Sequence, residues 1–366
     1  FIVKIKNIMK VCIIGSGLTS LSLAKILVNM GINVDIFSDS NFEKIDRSRT
    51  LSISKNNLDF FNSNISNINK FSWKINKIEI FSENLKNEKV LNFGNNQYEL
   101  FSIIKNYKLY DQLVKELKNN KLLRSKKISK INKKKLPKDY NLVINCDSKN
   151  FISKKYFYKK VSKNYNSIAY TTIINHKEFK DNNTATQIFT KKGPLAFLPI
   201  SDDKTSVVYS IRNLKEINFE NSIKKYNTKY SIIKINNISR YELKSSNLRS
   251  YHNKNILAFG DMLHKLHPLA GQGFNMTIRD IKLLSELINL RINNGLEIDN
   301  SICVNFEKKV RHKNFVFANG IDFVYEFFHL ESKLKNSFFS KSVQFLGKNK
   351  NLNNLFKRFA DTGLNI

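Results

Sequence analysis

The chain has 366 residues, 62 Lys plus Arg against 30 Asp plus Glu, and a formal charge of +32. Its 41% hydrophobic and 12% aromatic content excludes wholesale disorder, and four Pro with twelve Gly exclude a collagen-like or linker-dominated chain; at roughly 100–200 residues per domain, two or three compact units are expected. Cys12, Cys146 and Cys303 lie far apart without a CxxC, which argues against a disulfide framework or a thiolate zinc site and points to a reducing compartment.

The basic excess is nearly all Lys. Asn and Ile are equally inflated, as in Lys133–Lys135, Asn56–Asn57 and Ile173–Ile174. These residues share A/T-rich codons, so base composition accounts for the charge and no nucleic-acid partner is expected. An anionic membrane surface needs only a basic face and remains the more natural partner. No apolar run is long enough for a transmembrane helix. Phe1–Ile8 lacks the apolar stretch of a signal peptide, and Met9 reads as the initiator, leaving the first eight residues without a role.

In chain order, a strand over Lys10–Ile14, a glycine turn, an apolar helix over Leu18–Met30 closed by Gly31, and a strand over Asn33–Phe37 form a βαβ unit. Residues 71–93 alternate, with Trp73, Ile75, Ile78, Ile80 and Val90, and predict a strand pair joined through 82–88. A helix is predicted over 106–120, with Leu109, Leu113, Val114 and Leu117 on one face, and a buried strand at Asn141–Asn145. Four strands follow: Ile168–Ile174, Thr184–Phe189, Leu195–Ile200 and Thr205–Ile211. A strand at Asn255–Phe259 runs into a Gly-rich segment and a helix from about Met276; the last fifty residues read as helical. Strands alternating with helices at both ends, with a β-rich insert between, predict an α/β nucleotide-binding domain carrying a second domain.

Two motifs carry chemistry. In Gly15-Ser16-Gly17-Leu18-Thr19-Ser20, Gly15 permits a tight turn and Gly17 lets the backbone approach a pyrophosphate. The helix from Leu18 then offers free N–H groups and the positive end of its dipole. Ser20 stands where a third glycine is usual. The acid expected after the second strand is displaced: Ser38 holds that position and Asp39 follows. In the second motif, Gly260-Asp261 ends a strand at the ligand edge of the sheet, where the carboxylate can accept hydrogen bonds from ribityl hydroxyls. Gly271-Gln272-Gly273 leads into a helix whose N–H groups can face an electron-rich ring. Two such sites imply a long dinucleotide, and FAD fits that span better than NAD. Asp261, His264 and His267 step by three; an iron site of two His and a carboxylate is the less favoured reading.

The stretch from Gly260 to Asp280 is similar to the GD-x-x-H-x-x-HP-x-AGQG-x-N-x-x-x-x-D signature of the ubiquinone-biosynthesis FAD hydroxylases, a branch of the class A flavin monooxygenases related to p-hydroxybenzoate hydroxylase. Thr277 replaces a usual glycine. Arg47–Ser54 resembles the family's Arg-containing segment, with Arg49 at its FAD-contacting arginine; Asn106 matches a V-E-N helix start; Gly193–Ile200 is close to its GPLA-x-LP stretch. The family's GADG segment is Asn145-Cys146-Asp147-Ser148 here, keeping Asp147 but departing in the part that couples flavin to nicotinamide.

The resemblance implies an α/β fold. A Rossmann-type FAD-binding domain would comprise 9–70, 101–165 and 251–310, with an inserted mixed or antiparallel β-sheet substrate domain of 71–100 and 166–250 and a C-terminal helical segment of 311–366. It implies FAD held by Gly15, Gly17, Leu18, Ser20, Ser38, Asp39, Arg49, Asn106, Asp147, Gly260, Asp261, Pro268, Ala270, Gly271, Gln272, Gly273, Phe274 and Asn275. Pro268, His267 and Gln272 are expected at the reacting face. NAD(P)H would be the co-substrate, and O2 would react through a C4a-hydroperoxyflavin to hydroxylate a prenylated phenol, with no metal. Gln187, Phe189, Phe197 and Tyr209 are expected in the substrate wall, and the histidines as packing or hydrogen-bonding groups. Helical aromatics at 317–328 serve as core, or as a groove for an isoprenoid tail or a membrane-facing helix. The expected location is cytoplasmic, with peripheral membrane contact and association with other quinone-biosynthesis enzymes. Another FAD oxidoreductase of the polyprenyl-reductase type, or a non-catalytic assembly subunit of the same fold, stays open.

Overall fold

The computed structural model describes residues 9–38, 46–85, 88–94, 98–131, 136–212, 217–267, 271–334 and 338–347. Asp39, Pro268, Ala270 and Phe1–Ile8 lie outside the described residues.

One sheet of six strands forms the nucleotide-binding layer. Its strands are β1 (Lys10–Ile14), β2 (Asn33–Ser38), β8 (Leu123–Lys127), β9 (Leu142–Asn145), β16 (His252–Asn253) and β17 (Ile256–Ala258), in the order β16-β17-β9-β1-β2-β8. All pairs are parallel except β16–β17. Parallel strands covered on both faces read as continuous apolar runs, and Val11–Ile14 and Leu142–Ile144 are indeed fully buried. The helices α1 (Leu18–Asn29), α3 (Asn106–Leu117) and α7 (Gln272–Asn293) pack about this layer, joined by α2 (Lys55–Asn64), α4 (Leu136–Asp139) and α5 (Phe151–Tyr156).

Within β2 the buried carboxylate of Asp35 receives hydrogen bonds from Lys126 at 2.7 Å and Tyr140 at 2.6 Å, with Lys10 at 3.2 Å. Burial alone would raise its pKa, but these donors prevail and hold it below the ordinary value. Asp35 thus has protein partners and stands three residues before the end of the strand.

A second, mixed sheet contains β5 (Lys77–Ser82), β6 (Glu88–Gly94), β10 (Lys160–His176), β11 (Thr184–Thr190), β12 (Gly193–Pro199), β13 (Lys204–Arg212), β14 (Ile232–Ile235), β15 (Ser239–Leu248) and β18 (His264–Lys265). Only β5–β11 is parallel. One face is covered by α6 (Phe219–Tyr226), where Phe219 and Ile223 pack on Tyr170, Phe197 and Tyr209. A small antiparallel sheet joins β3 (Thr50–Ser54), β7 (Phe101–Lys105) and β4 (Ser72–Ile75) in the order β3-β7-β4.

The expected pair joined through 82–88 is present as β5 and β6, but the start of the run, with Trp73 and Ile75, belongs to β4 in the small sheet. The chain turns at Asn76, where the N–H groups of Asn76 and Lys77 both donate to the carbonyl of Asn183. Ile75 stays in a separate core with Ile103 and Ala185.

A 35-residue helix, α8 (Asn300–Leu334), is about 50 Å long and packs on both the six-stranded and the mixed sheet layers. Ile302, Phe306 and Val310 enter the core of the nucleotide layer, while Phe317, Ile321 and Phe328 pack with Phe189 and Met276. Each such side chain contributes roughly 1.5–3 kcal/mol on burial. The helix α9 (Phe338–Gly347) follows. Glu331, fully buried near the end of α8, accepts the backbone N–H of Ser340 at 2.6 Å and a side-chain N–H of Asn84 at 3.2 Å. It thereby ties α9 to the turn after β5.

Candidate active site

The two motifs meet. Gly15 takes φ +118° at the end of β1 and donates its N–H to the carbonyl of Phe37 at 2.8 Å. Gly17 caps α1 in extended conformation, without a side-chain cap and with no acidic residue in the first turn. A Cβ on Gly17 would meet nothing within 4 Å, and Gly17 and Leu18 line the cavity, so the N-terminal end of α1 borders open space. Gly260 takes φ +66°, and a Cβ there would lie 2.7 Å from Cγ2 of Thr19. The turn carrying Asp261 is thus pressed onto the first turn of α1, and only glycine permits that approach.

A cavity of about 1920 Å³ runs from these turns to the mixed sheet. At one end it is lined by Gly15, Gly17, Leu18, Ser20, Ser38 and Asp147. Further along come Arg49, Asn106, Asp261 and Gly271–Asn275. Most of the expected cofactor residues therefore line one continuous space; Gly260 backs it through Thr19 instead. Arg49 lies with its guanidinium 5.4 Å from the ring centre of Tyr241, and its carbonyl accepts the N–H of Asn106 at 3.0 Å.

Two buried amide oxygens among the described lining residues have no hydrogen-bond partner: Oδ1 of Asn106 and Oε1 of Gln272. An unpaired buried amide oxygen costs about 1–3 kcal/mol, so these atoms fit a ligand that supplies donors. Gly273, like Gly17, has open space where a Cβ would sit. The residues present fit an extended flavin dinucleotide.

Gly271 takes φ +62°, and a Cβ on it would lie 2.0 Å from Oγ of Ser52 in β3. From this turn α7 starts at Gln272, four residues earlier than the sequence suggests, because Gly273 is helical and only Gly271 is left-handed. Asn275 clamps the turn. Its side-chain oxygen accepts the N–H of Ser54 and an amide N–H of Asn57, both at 2.9 Å, and its nitrogen donates to the carbonyl of Ser52 at 2.8 Å. The Asn275 amide is therefore engaged by the protein. Phe274 packs on Phe61 with ring centres 6.4 Å apart.

Around Asp147 the turn is satisfied locally. Asp147 accepts the N–H of Lys149 at 2.8 Å, and Asn145 binds Ser153 and Asn150 at 2.8 and 2.7 Å. Burial pushes the Cys146 thiol up to about 12, which leaves it protonated and inert as a nucleophile.

The histidines separate. His264 lies fully buried with Nε2 2.8 Å from Asp280, which Asn314 also reaches at 3.2 Å. His267 sits between Tyr165 and Tyr325, with ring centres 5.1 and 4.0 Å away. Neither ring nitrogen has a partner. Burial, reinforced by Arg212, pushes its pKa down to about 3, so the imidazole is neutral. Asp261 and His267 both line the cavity while His264 is turned to Asp280, and among the described residues the three side chains form no metal-holding group.

Of the four expected wall residues, Gln187 and Phe189 line the cavity. Phe197 and Tyr209 do not: they belong to the core under α6. The residues of β12 and β13 that face the cavity are Pro194, Ala196, Leu198, Val208 and Ser210. A one-position shift in a strand reverses every side chain, and here it places small residues over the ligand space and large rings beneath the sheet. Beyond them Ile78, Ile80, Leu91, Phe93 and Phe327 make an apolar arm. It is closed on one side by Phe189 stacked on Phe328, with ring centres 3.7 Å apart.

The FAD binding domain family matches residues 216–295. The p-nitrophenol 4-monooxygenase PnpA of Pseudomonas putida DLL-E4 superimposes with a TM-score of 0.76 at 12% identity, over 97% of this chain and 98% of that one. The two chains therefore share a fold. Among curated proteins, the chain is 28% identical over 149 residues to the 3-demethoxyubiquinol 3-hydroxylase of Escherichia coli (strain K12), covering 38% of each chain. It is 26% identical over 181 residues to the human ubiquinone biosynthesis monooxygenase COQ6, mitochondrial, covering 38% of this chain and 39% of that one. The chain thus spans about two fifths of the length of these curated relatives.

Proposed function

We propose that the chain binds FAD in the cleft from Gly15 to Gln272 and acts as an NAD(P)H- and O2-dependent monooxygenase. Its substrate would be a prenylated phenol of ubiquinone biosynthesis, hydroxylated on the aromatic ring, and the protein would work in peripheral contact with a membrane alongside other quinone-biosynthesis enzymes. The observation that carries this reading is one cavity that joins a dinucleotide cleft to an apolar arm. Similarity to hydroxylases of this pathway supports the substrate class.

When bound, FAD supplies the redox chemistry and the activation of oxygen. The chain's own residues supply the rest. The N–H groups at the start of α1 and the turn at Gly15 hold the pyrophosphate. The carboxylates of Asp261 and Asp147 accept hydrogen bonds from ribose and ribityl hydroxyls. The amide oxygens of Asn106 and Gln272 accept donors from the cofactor, and the N–H groups opening α7 face the ring system. Ala196, Leu198 and Val208 leave room for a substrate ring, and the aromatic pair Phe189–Phe328 keeps water from the apolar arm. His267 lines the cavity and contributes by packing between Tyr165 and Tyr325, since neither of its ring nitrogens has a hydrogen-bond partner.

The test is a flavin spectrum of the purified chain and NADPH oxidation in the presence of a prenylated phenol. Bound flavin with substrate-stimulated oxidation and a hydroxylated product is expected, and Asp261→Ala should lose at least about tenfold in FAD affinity, one or two hydrogen bonds to a charged acceptor. A chain that takes up no flavin, or a variant that holds it as tightly, overturns the assignment. Flavin binding without turnover would instead favour the assembly-subunit reading.

A further inference from the structure

The buried face of α8 is accounted for by the two cores, but its opposite face is not. Val316, Phe323 and Leu330 recur at seven-residue spacing along that face and are 38%, 67% and 50% exposed. Such apolar side chains in one row on a long helix are unlike isolated exposed residues, which need no explanation. Phe323 and its neighbour Val324 also line the cavity, so the exposed row stands at the rim of the apolar arm. One to two turns nearer the N-terminus of the helix, Lys308, Lys309 and Lys313 are exposed. The acids near the row face elsewhere: Glu326 pairs with Arg212 and Lys163, both at 2.9 Å, and Asp322 binds the hydroxyl of Tyr165.

We infer that this face of α8 docks on an anionic lipid surface, with Val316, Phe323 and Leu330 entering the headgroup boundary and the three lysines on the phosphates. An amphipathic helix lying in the interface combines such an apolar row with lysines in this way. A second copy of the chain is disfavoured, because each carries a formal charge of +32 and like surfaces repel. An acidic protein would satisfy the lysines but would leave the open rim of an apolar arm unexplained. A bilayer accounts for both, since an apolar ligand would pass from lipid into the arm without crossing water. The docking gives a surface to the membrane contact included in the proposed function, and both it and that last step rest on that reading.

The test is co-sedimentation of the 366-residue chain with vesicles of phosphatidylcholine, alone or with about 30% phosphatidylglycerol. Binding to the anionic vesicles, weakened severalfold by about 0.5 M salt, is expected. The triple variant Val316→Ser/Phe323→Ser/Leu330→Ser should bind on the order of tenfold more weakly or worse while its circular dichroism is kept. Should that variant fail to fold, Lys308→Glu/Lys309→Glu/Lys313→Glu, confined to exposed positions, must show the same loss. No binding by the parent chain, or full binding by a folded variant of either kind, overturns the inference. So does light scattering showing that the apolar substitutions only dissociate a dimer. A separate flavin spectrum distinguishes failure here from failure of the flavoenzyme reading.

Discussion

Replacing Gly271 with Ala should injure this protein far more than one methyl group suggests. A non-glycine residue at φ +62° costs roughly 1–2 kcal/mol in backbone strain. The added Cβ would also lie 2.0 Å from Oγ of Ser52, well inside van der Waals contact. Ser52 cannot retreat freely, because its carbonyl accepts the Asn275 amide and its strand is paired with β7. Overpacking of this kind costs about 1–3 kcal/mol, so the variant should lose about 2–5 kcal/mol of unfolding free energy in a urea titration. Relief by movement would pull α7 from β3 and misplace the N–H groups of the turn, weakening FAD binding about tenfold or more. The two contributions can be separated. In Gly271→Ala/Ser52→Ala the Oγ is gone and the nearest Ser52 atom is Cβ at 3.2 Å, so the overpacking part should be recovered and the strain should remain. With the single Ser52→Ala variant this closes a double-mutant cycle whose coupling should be about 1–3 kcal/mol. A Gly271→Ala protein within about 0.5 kcal/mol of the parent, or a cycle with no coupling, would refute the reasoning.

His267 should make stability fall with acid. Its folded pKa is lowered to about 3, whereas the unfolded chain binds a proton near pH 6.5, so unfolding takes up a proton throughout that interval. Its contribution is flat above about pH 6.5 and falls by about 1.4 kcal/mol per pH unit below it. Denaturant titrations at pH 7 and 5 should show this slope in the parent and its loss in His267→Phe; equal slopes would contradict the buried neutral imidazole. The register of β12 gives a paired test. Ala196→Phe should block substrate-stimulated NADPH oxidation while flavin stays bound, whereas Phe197→Ala should cost about 3–5 kcal/mol of stability. The reverse pattern would mean that the strand faces the other way.

Sequence was most informative where chemistry demands a particular backbone. Gly15, Gly260 and Gly271 could be read as special positions because each takes a positive φ or a close approach that a side chain would prevent. The apolar runs of β1 and β9 were readable because a parallel strand buried on both faces leaves no alternation to misread. The register of β12 and β13 was not, since apolar side chains occupy both parities there: Leu195 and Phe197 face α6 while Ala196 and Leu198 face the cavity. Large rings suggested a substrate wall, yet a wall next to a ligand needs room. The role of Asn275 was equally hidden, because Ser52, Ser54 and Asn57 lie more than two hundred residues away along the chain. The direction of the His267 ring is set by Tyr165 and Tyr325, which no local motif announces.

The strand order of the six-stranded sheet has a consequence for biogenesis. β9 pairs on one side with β1 and on the other with β17, a strand made more than a hundred residues later. At ribosomal speeds of about 5–20 residues per second, the open flank of β9 waits roughly ten seconds for its neighbour. Throughout that delay a growing polypeptide presents the unpaired edge of a largely apolar strand, a hazard for mispairing between nascent chains. Flavin cannot shorten the wait, because Asp261 and the turn at Gly271 emerge later still. Supply of cofactor should therefore rescue finished chains and leave early aggregation untouched.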